Sequence, residues 1–185
     1  MASCEIETRT QKLAANGGNT LAGYAAVFNS PAVIAGQFVE IIAPSAFANS
    51  LKANDVVALM AHDTGRVLGR TSSGTLTLAE DKRGLSFSLD IDPSTPDGAT
   101  ALGLVRRRDI AGCSFGFQVR AEAWRETDGL PVRTLEEIDL FEITLTAWPA
   151  YQDTTVALRS MERNKLAWAA HARMSLAMKV RGLRP

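Results

Sequence analysis

Histidine and cysteine are scarce in this sequence, with two of each in 185 residues. Cys4 and Cys113 offer neither a disulfide framework nor metal-ligand spacing, which excludes the small disulfide-stapled and zinc-finger classes. No apolar run approaches the roughly 20 residues needed to span a bilayer, so no membrane partner is expected. Residues 1–7 lack the basic and apolar regions of a signal peptide, and with unpaired thiols this sets the expectation of a cytoplasmic protein. There is no phosphate loop and no His/Cys cluster, so no metal, nucleotide or organic cofactor is expected. Formal net charge is zero, which gives the whole chain no electrostatic pull toward nucleic acid or an anionic membrane.

What is present is ordinary in bulk and uneven in distribution. Hydrophobic residues make up 46% and charged residues 22%, in a chain long enough for one cored domain with an extension. Residues 154–185 carry seven Lys or Arg against Glu162 alone, so the rest of the chain holds the matching acidic excess. This stretch is rich in Ala, Leu, Met, Arg and Lys and lacks Gly until Gly182. The expected division is a domain over 1–158 and a basic helical extension over 159–185.

Within the domain, β patterns dominate. Residues 5–13 and 20–28 read as strands parted by the turn cluster Asn16-Gly-Gly-Asn, followed by Gly36–Ile42 and Val56–His62. Thr75–Leu78 and Leu85–Ile91 alternate apolar and polar residues, which places Leu85, Phe87, Leu89 and Ile91 on one buried face. Residues 113–124 and 138–147 complete the set. Pro44–Leu51 reads as a short helix with Pro in its first turn. Residues 97–109 read as another, capped by Asp97, with Arg106, Arg107 and Arg108 in its last turn. Those arginines complement the helix dipole or contact a substrate or oxyanion. A mainly β fold with flanking helices follows, expected as a closed or nearly closed antiparallel barrel of about seven strands.

One histidine, one serine and one carboxylate fall in strand-like segments: His62 in Leu59-Met-Ala-His-Asp-Thr-Gly-Arg, Ser114 in Gly112-Cys-Ser-Phe-Gly, and Glu142 in Leu140-Phe-Glu-Ile-Thr. A serine hydroxyl becomes a competent nucleophile when a base takes its proton; an imidazole does this near neutral pH, and a carboxylate fixes its tautomer. The G-x-S-x-G match at Gly112–Gly116 is not a nucleophile elbow, because a helix precedes it and a strand follows. Ser114 sits opposite Phe115, Phe117 and Val119, and Gly112 and Gly116 beside it would leave peptide N–H groups open to an oxyanion. The plainer alternatives are a surface serine, an exposed glutamate and a structural histidine. Regular alternation would place Glu142 on the face of Ile138 and Leu140. Cys113, the rival nucleophile, points toward the core.

Several segments together resemble the HK97-type prohead maturation protease family of tailed phages. They are Gly23-Tyr-Ala-Ala-Val-Phe-Asn-Ser, Phe38-Val-Glu-Ile-Ile-Ala-Pro-Ser-Ala-Phe, His62-Asp with Gly69-Arg, the Ser-Phe-Gly-Phe strand, and Leu-Phe-Glu-Ile-Thr-Leu-Thr-Ala-Trp-Pro-Ala, in order over roughly residues 20–158. The resemblance implies a serine endopeptidase with a fold like herpesvirus assemblin. His62 would be the general base, Ser114 the nucleophile and Glu142 the group orienting the imidazole. Cys113 stands where an apolar or small residue is usual, and Trp148 where Phe is common.

The partners so implied are the major capsid protein precursor and its scaffold segment, cut inside the immature capsid in the host cytoplasm, with self-cleavage and weak self-association as a homodimer. The contrasting expectation is a non-catalytic scaffold component of the capsid interior. The basic tail fits partner binding through Val156, Met161, Leu166, Trp168, Met174 and Met178, a connector removed by self-cleavage, or, less simply, contact with DNA.

Overall fold

The computed structural model describes residues 7–15, 18–147, 165, 168–169 and 173–174. Over described residues 7–147, ten strands and two helices run in the order β1 (Glu7–Ala15), β2 (Thr20–Val27), β3 (Ala32–Ile34), β4 (Phe38–Ile42), α1 (Ser50–Ala53), β5 (Val57–Met60), β6 (Asp63–Arg70), β7 (Leu76–Glu80), β8 (Gly84–Asp90), α2 (Pro96–Arg107), β9 (Gly112–Arg125) and β10 (Val132–Thr146). Among the described residues no helix is long and apolar enough to cross a membrane.

The mainly β reading with flanking helices holds, but the closed antiparallel barrel is not found. The strands form one sheet ordered β3-β4-β10-β9-β1-β2-β8-β7, with β5 paired to β10 and β6 paired only to β5. No described ladder joins β6 to β7, so the sheet is open there. It is also mixed: one edge of β10 is shared by β4 at Val132–Leu135 and β5 at Glu142–Leu145, and both pairings are parallel. A strand of 15 residues can serve two short neighbours in succession, and this makes the sheet branch. The strand count exceeds seven because β3 and β6 carry no clean alternation. β6 is exposed at Asp63, Thr64, Gly65, Val67 and Arg70 and buried only at Leu68.

The antiparallel β9–β10 ribbon is the spine, in register from Arg125↔Val132 to Gly112↔Thr146. Cys113, Phe115 and Phe117 from β9, with Ile138, Leu140, Ile143 and Leu145 from β10, enter the main core, where Phe115 stacks on Phe117 and meets Phe47 edge-on. β8 supplies Leu85, Phe87 and Leu89, followed by Ile91, to the same core, as its alternation requires.

Both helices depart from the expected bounds for local reasons. Ser45 takes a left-handed conformation (φ 68°), so residues 44–49 form turns and α1 begins only at Ser50. The cap of α2 is Thr95, whose hydroxyl accepts the Gly98 N–H at 3.1 Å, and Asp97 lies inside the first turn paired with Arg66. Of the expected tail helix, the described positions Lys165, Trp168, Ala169, Arg173 and Met174 are helical; the boundary at 158/159 lies outside the described residues.

Candidate active site

Ser114 lies on the central strand β9, opposite Thr144 of β10 on one side and in register with Thr10 of β1 on the other. Its neighbours Cys113 and Phe115 face the core, so period two places Ser114 and Gly116 on the reverse face. The side chain is fully buried there (0% exposed), which rules out a surface serine on a half-exposed strand. Gly112 and Gly116 are also flanked by paired strands on both sides. Paired strands on both sides compete for their peptide N–H groups, the donors expected to be open beside Ser114.

Glu142 reaches Ser114's face through an irregularity. Leu140 pairs with Phe117 and Glu142 with Gly116, so Phe141 is an extra residue in the ribbon. Such a bulge reverses the inside–outside phase of everything beyond it. Leu140 and Ile143 therefore share the core, while Glu142 and Thr144 face the other way, and the expected alignment of Glu142 with Ile138 and Leu140 is corrected. Glu142 is partnered rather than solvated, with its side chain 13% exposed.

His62 follows β5, where Ala58 and Met60 belong to the core. A regular strand would send His62 there as well. Instead Ala61 and His62 are both left-handed (φ 53° and 60°), a conformation that costs about 1–2 kcal/mol per residue outside glycine. The pair forms the two-residue loop closed by Met60 and Asp63 of the β5–β6 hairpin, and two bonds tie it to β10: the Ala61 N–H donates to the Leu145 carbonyl and the His62 N–H to Thr144 Oγ1, each at 2.9 Å. The imidazole then lies beside Glu142, with Nδ1 2.7 Å from Oε1. The carboxylate accepts from Nδ1–H, which leaves Nε2 as the basic nitrogen.

Three buried side-chain polar atoms lack a hydrogen-bond partner among the described residues: His62 Nε2, Ser114 Oγ and Glu142 Oε2. Buried polar atoms are rarely left so, and here all of them belong to the three residues singled out from the sequence. Ser114 Oγ and His62 Nε2 are not bonded to each other, a looseness common in sites without substrate.

The remaining candidates separate from this group. Burial, reinforced by the Glu142 charge, pushes the Cys113 thiol far up, and its Sγ donates to the Ser114 carbonyl at 3.5 Å; it is not a thiolate nucleophile. Arg106 donates to the Gly18 carbonyl, Arg107 pairs with Asp109, and Arg108 ends α2 in a left-handed conformation (φ 63°). Arg106 and Arg107 thus stand in the last turn of α2 and Arg108 at its cap, where the helix-end reading put them. Thr144 is the site residue that sequence reasoning passed over. Its signal was present: it stands two residues beyond Glu142 and so shares its face.

A concavity of about 430 Å³ lies at the far end of the ribbon, between the 126–131 loop and Lys165, Trp168 and Ala169, and none of the three residues lines it. The comparison with known families bears on the whole chain. Residues 4–167 match the family model described as caudovirus prohead serine protease. The chain belongs to this family. No curated protein and no solved structure matches it. Membership gives the buried serine, histidine and carboxylate a chemical context, because the activity named for the family is serine proteolysis.

Proposed function

We propose that this chain is a serine endopeptidase of capsid maturation in which Ser114 is the nucleophile, His62 the general base and Glu142 the group that orients the imidazole. The observation that carries the assignment is the set of unpartnered atoms at His62 Nε2 and Ser114 Oγ, with Nδ1 already held by Glu142. Ser114 Oγ attacks the scissile carbonyl as His62 Nε2 takes its proton. The tetrahedral adduct expels the amine, which receives that proton from His62, and leaves an ester on Ser114. Water, deprotonated by His62, then attacks the ester and releases the acid, restoring the serine.

The substrates in this reading are the capsid protein precursor and its scaffold segment, met inside the immature shell, together with the chain itself. Confinement supplies high effective concentration, so weak intrinsic affinity suffices. Weak self-association and a targeting role for the basic extension beyond residue 158 belong to the same proposal.

The test is intact mass over time for wild type and Ser114→Ala, each alone and with capsid precursor. Defined fragments from wild type only are expected. Equal cutting by both would remove Ser114 from the chemistry, and no cutting by either in assembled shells would favour a scaffold component.

A further inference from the structure

We infer that Thr144 is a positioning residue that holds His62 against Glu142 through the histidine's backbone. Its bearing on catalysis rests on the roles proposed above, whereas its geometry does not. β10 runs between the strand that carries Ser114 and the strand that leads into His62, and Thr144 is the β10 residue level with Ser114 on one side and Leu59 on the other. It is fully buried, and its hydroxyl oxygen accepts the His62 N–H at 2.9 Å.

A hydroxyl is an unusual choice for such a position. A valine has nearly the same shape, suits a buried strand and leaves no polar atom to satisfy. The turn at Ala61 and His62 supplies the reason. While β5 runs parallel to β10, backbone carbonyls of β10 serve as acceptors, the last being Leu145 for the Ala61 N–H. In a regular strand the next N–H, that of His62, would point away from β10; the left-handed turn brings it back toward β10, where the Thr144 hydroxyl oxygen accepts it. Without it the turn loses one of its two bonds to β10, and His62 is less firmly held in a left-handed conformation that it ordinarily disfavours. An extended His62 follows the phase of Ala58 and Met60, away from Glu142 and Ser114.

Glu142 and Thr144 thus grip His62 at two points from one face of one strand, the ring at Nδ1 and the main chain at N–H. Thr144 acts through His62, and no reacting atom needs to touch it.

The experiment compares Thr144→Val, which keeps the shape and removes the acceptor, with Thr144→Ser, which keeps the acceptor. Two readouts are used. One is the downfield Nδ1–H proton of His62 in protein carrying ¹⁵N-histidine, assigned by its loss in His62→Asn. The other is the rate of Ser114 labelling by diisopropyl fluorophosphate, followed by intact mass. In Thr144→Val the downfield proton should broaden or vanish and labelling should slow about 10- to 100-fold, the scale of a misplacement near 1 Å. Thr144→Ser should keep the proton and label within about threefold of wild type, a rescue that a packing role would not give. If Thr144→Val does not fold, the same comparison is made in an Ala61→Gly background, where glycine relieves the left-handed strain. Wild-type behaviour of Thr144→Val in both readouts, or failure of Thr144→Ser to rescue them, overturns the inference. If wild type never reacts with the fluorophosphate yet its downfield proton is lost in Thr144→Val, the positioning role stands and the protease reading fails.

Discussion

The β9–β10 ribbon has a cluster of ionisable side chains toward each end, and the two are built on opposite logic. Toward the hairpin loop, Arg133 (1% exposed) lies opposite Glu40 on β4 and Trp124 on β9. Its Nη1 donates to Glu40 Oε2 at 2.8 Å and its Nε to Glu122 Oε2 at 2.6 Å, while Trp124 Nε1 donates to Glu122 Oε1 at 3.1 Å. The guanidinium sits 5.9 Å from the Trp124 ring centroid, and Phe38 closes on that ring edge-on. At the other end, His62 and Glu142 form one bond, and three polar atoms of the group remain unpartnered. A network that fixes strands closes upon itself, because each unpaired buried charge is expensive. A group that does chemistry leaves atoms free for the substrate. The His62–Glu142 end is also the less buried of the two, and among the described residues it is the one with unpartnered buried atoms.

That contrast predicts opposite responses to mutation. The largest effect is expected from Ser114→Ala, with cleavage falling about a millionfold and the melting temperature unchanged or slightly raised, since a buried unpartnered hydroxyl is removed. Precursor cleavage and a thermal melt on one preparation check both halves. Glu142→Gln should come next, lowering cleavage roughly ten-thousandfold by freeing the imidazole tautomer, again with the fold retained. At the other end, Arg133→Met should destabilise by about 3–5 kcal/mol in urea titration, because Glu40 and Glu122 lose their common cation. Below the new midpoint its activity per folded molecule should match wild type. A stable but inactive Arg133→Met would erase the distinction between the ends.

The smallest effects belong to Cys113, inside the site's strand but on the core side. Cys113→Ala should retain cleavage within about threefold and lose about 1 kcal/mol for the small cavity. Its thiol is held protonated by burial, so native labelling with iodoacetamide should stay negligible between pH 7 and 9, as peptide mapping would show. The linkage has a definite sign. The folded state keeps a proton that the unfolded thiol releases above about pH 8.5, so this contribution to stability declines as pH rises beyond that value.

Much of this molecule was legible in residue order. Period-two alternation located β8 and the two strands of the ribbon, because half-buried strands must alternate whatever their neighbours are. The scarcity of histidine and the placing of Ser114 and Glu142 in strands singled out three residues whose buried polar atoms lack partners among the described residues. The short strands β3 and β6 were missed, since one buries only Ile34 and the other only Leu68, too little to leave a pattern. A closed antiparallel barrel was expected and is not found, because alternation identifies a strand without naming its partner; two of β10's partners are parallel.

The sequence by itself determined which groups were available for chemistry and which segments would be strands. Only the tertiary structure decided which face each group occupies. A strand's inside–outside phase is lost at any single irregular residue, and the site depends on two: the extra Phe141 in β10 and the left-handed Ala61–His62 turn after β5. Read as regular strands, both segments would have aimed Glu142 and His62 away from Ser114. The turn is tied to β10 at Leu145 and Thr144, more than 80 residues along the chain. Contacts at that distance have no local signature, so the pairing of His62 with Glu142 is a property of the fold alone.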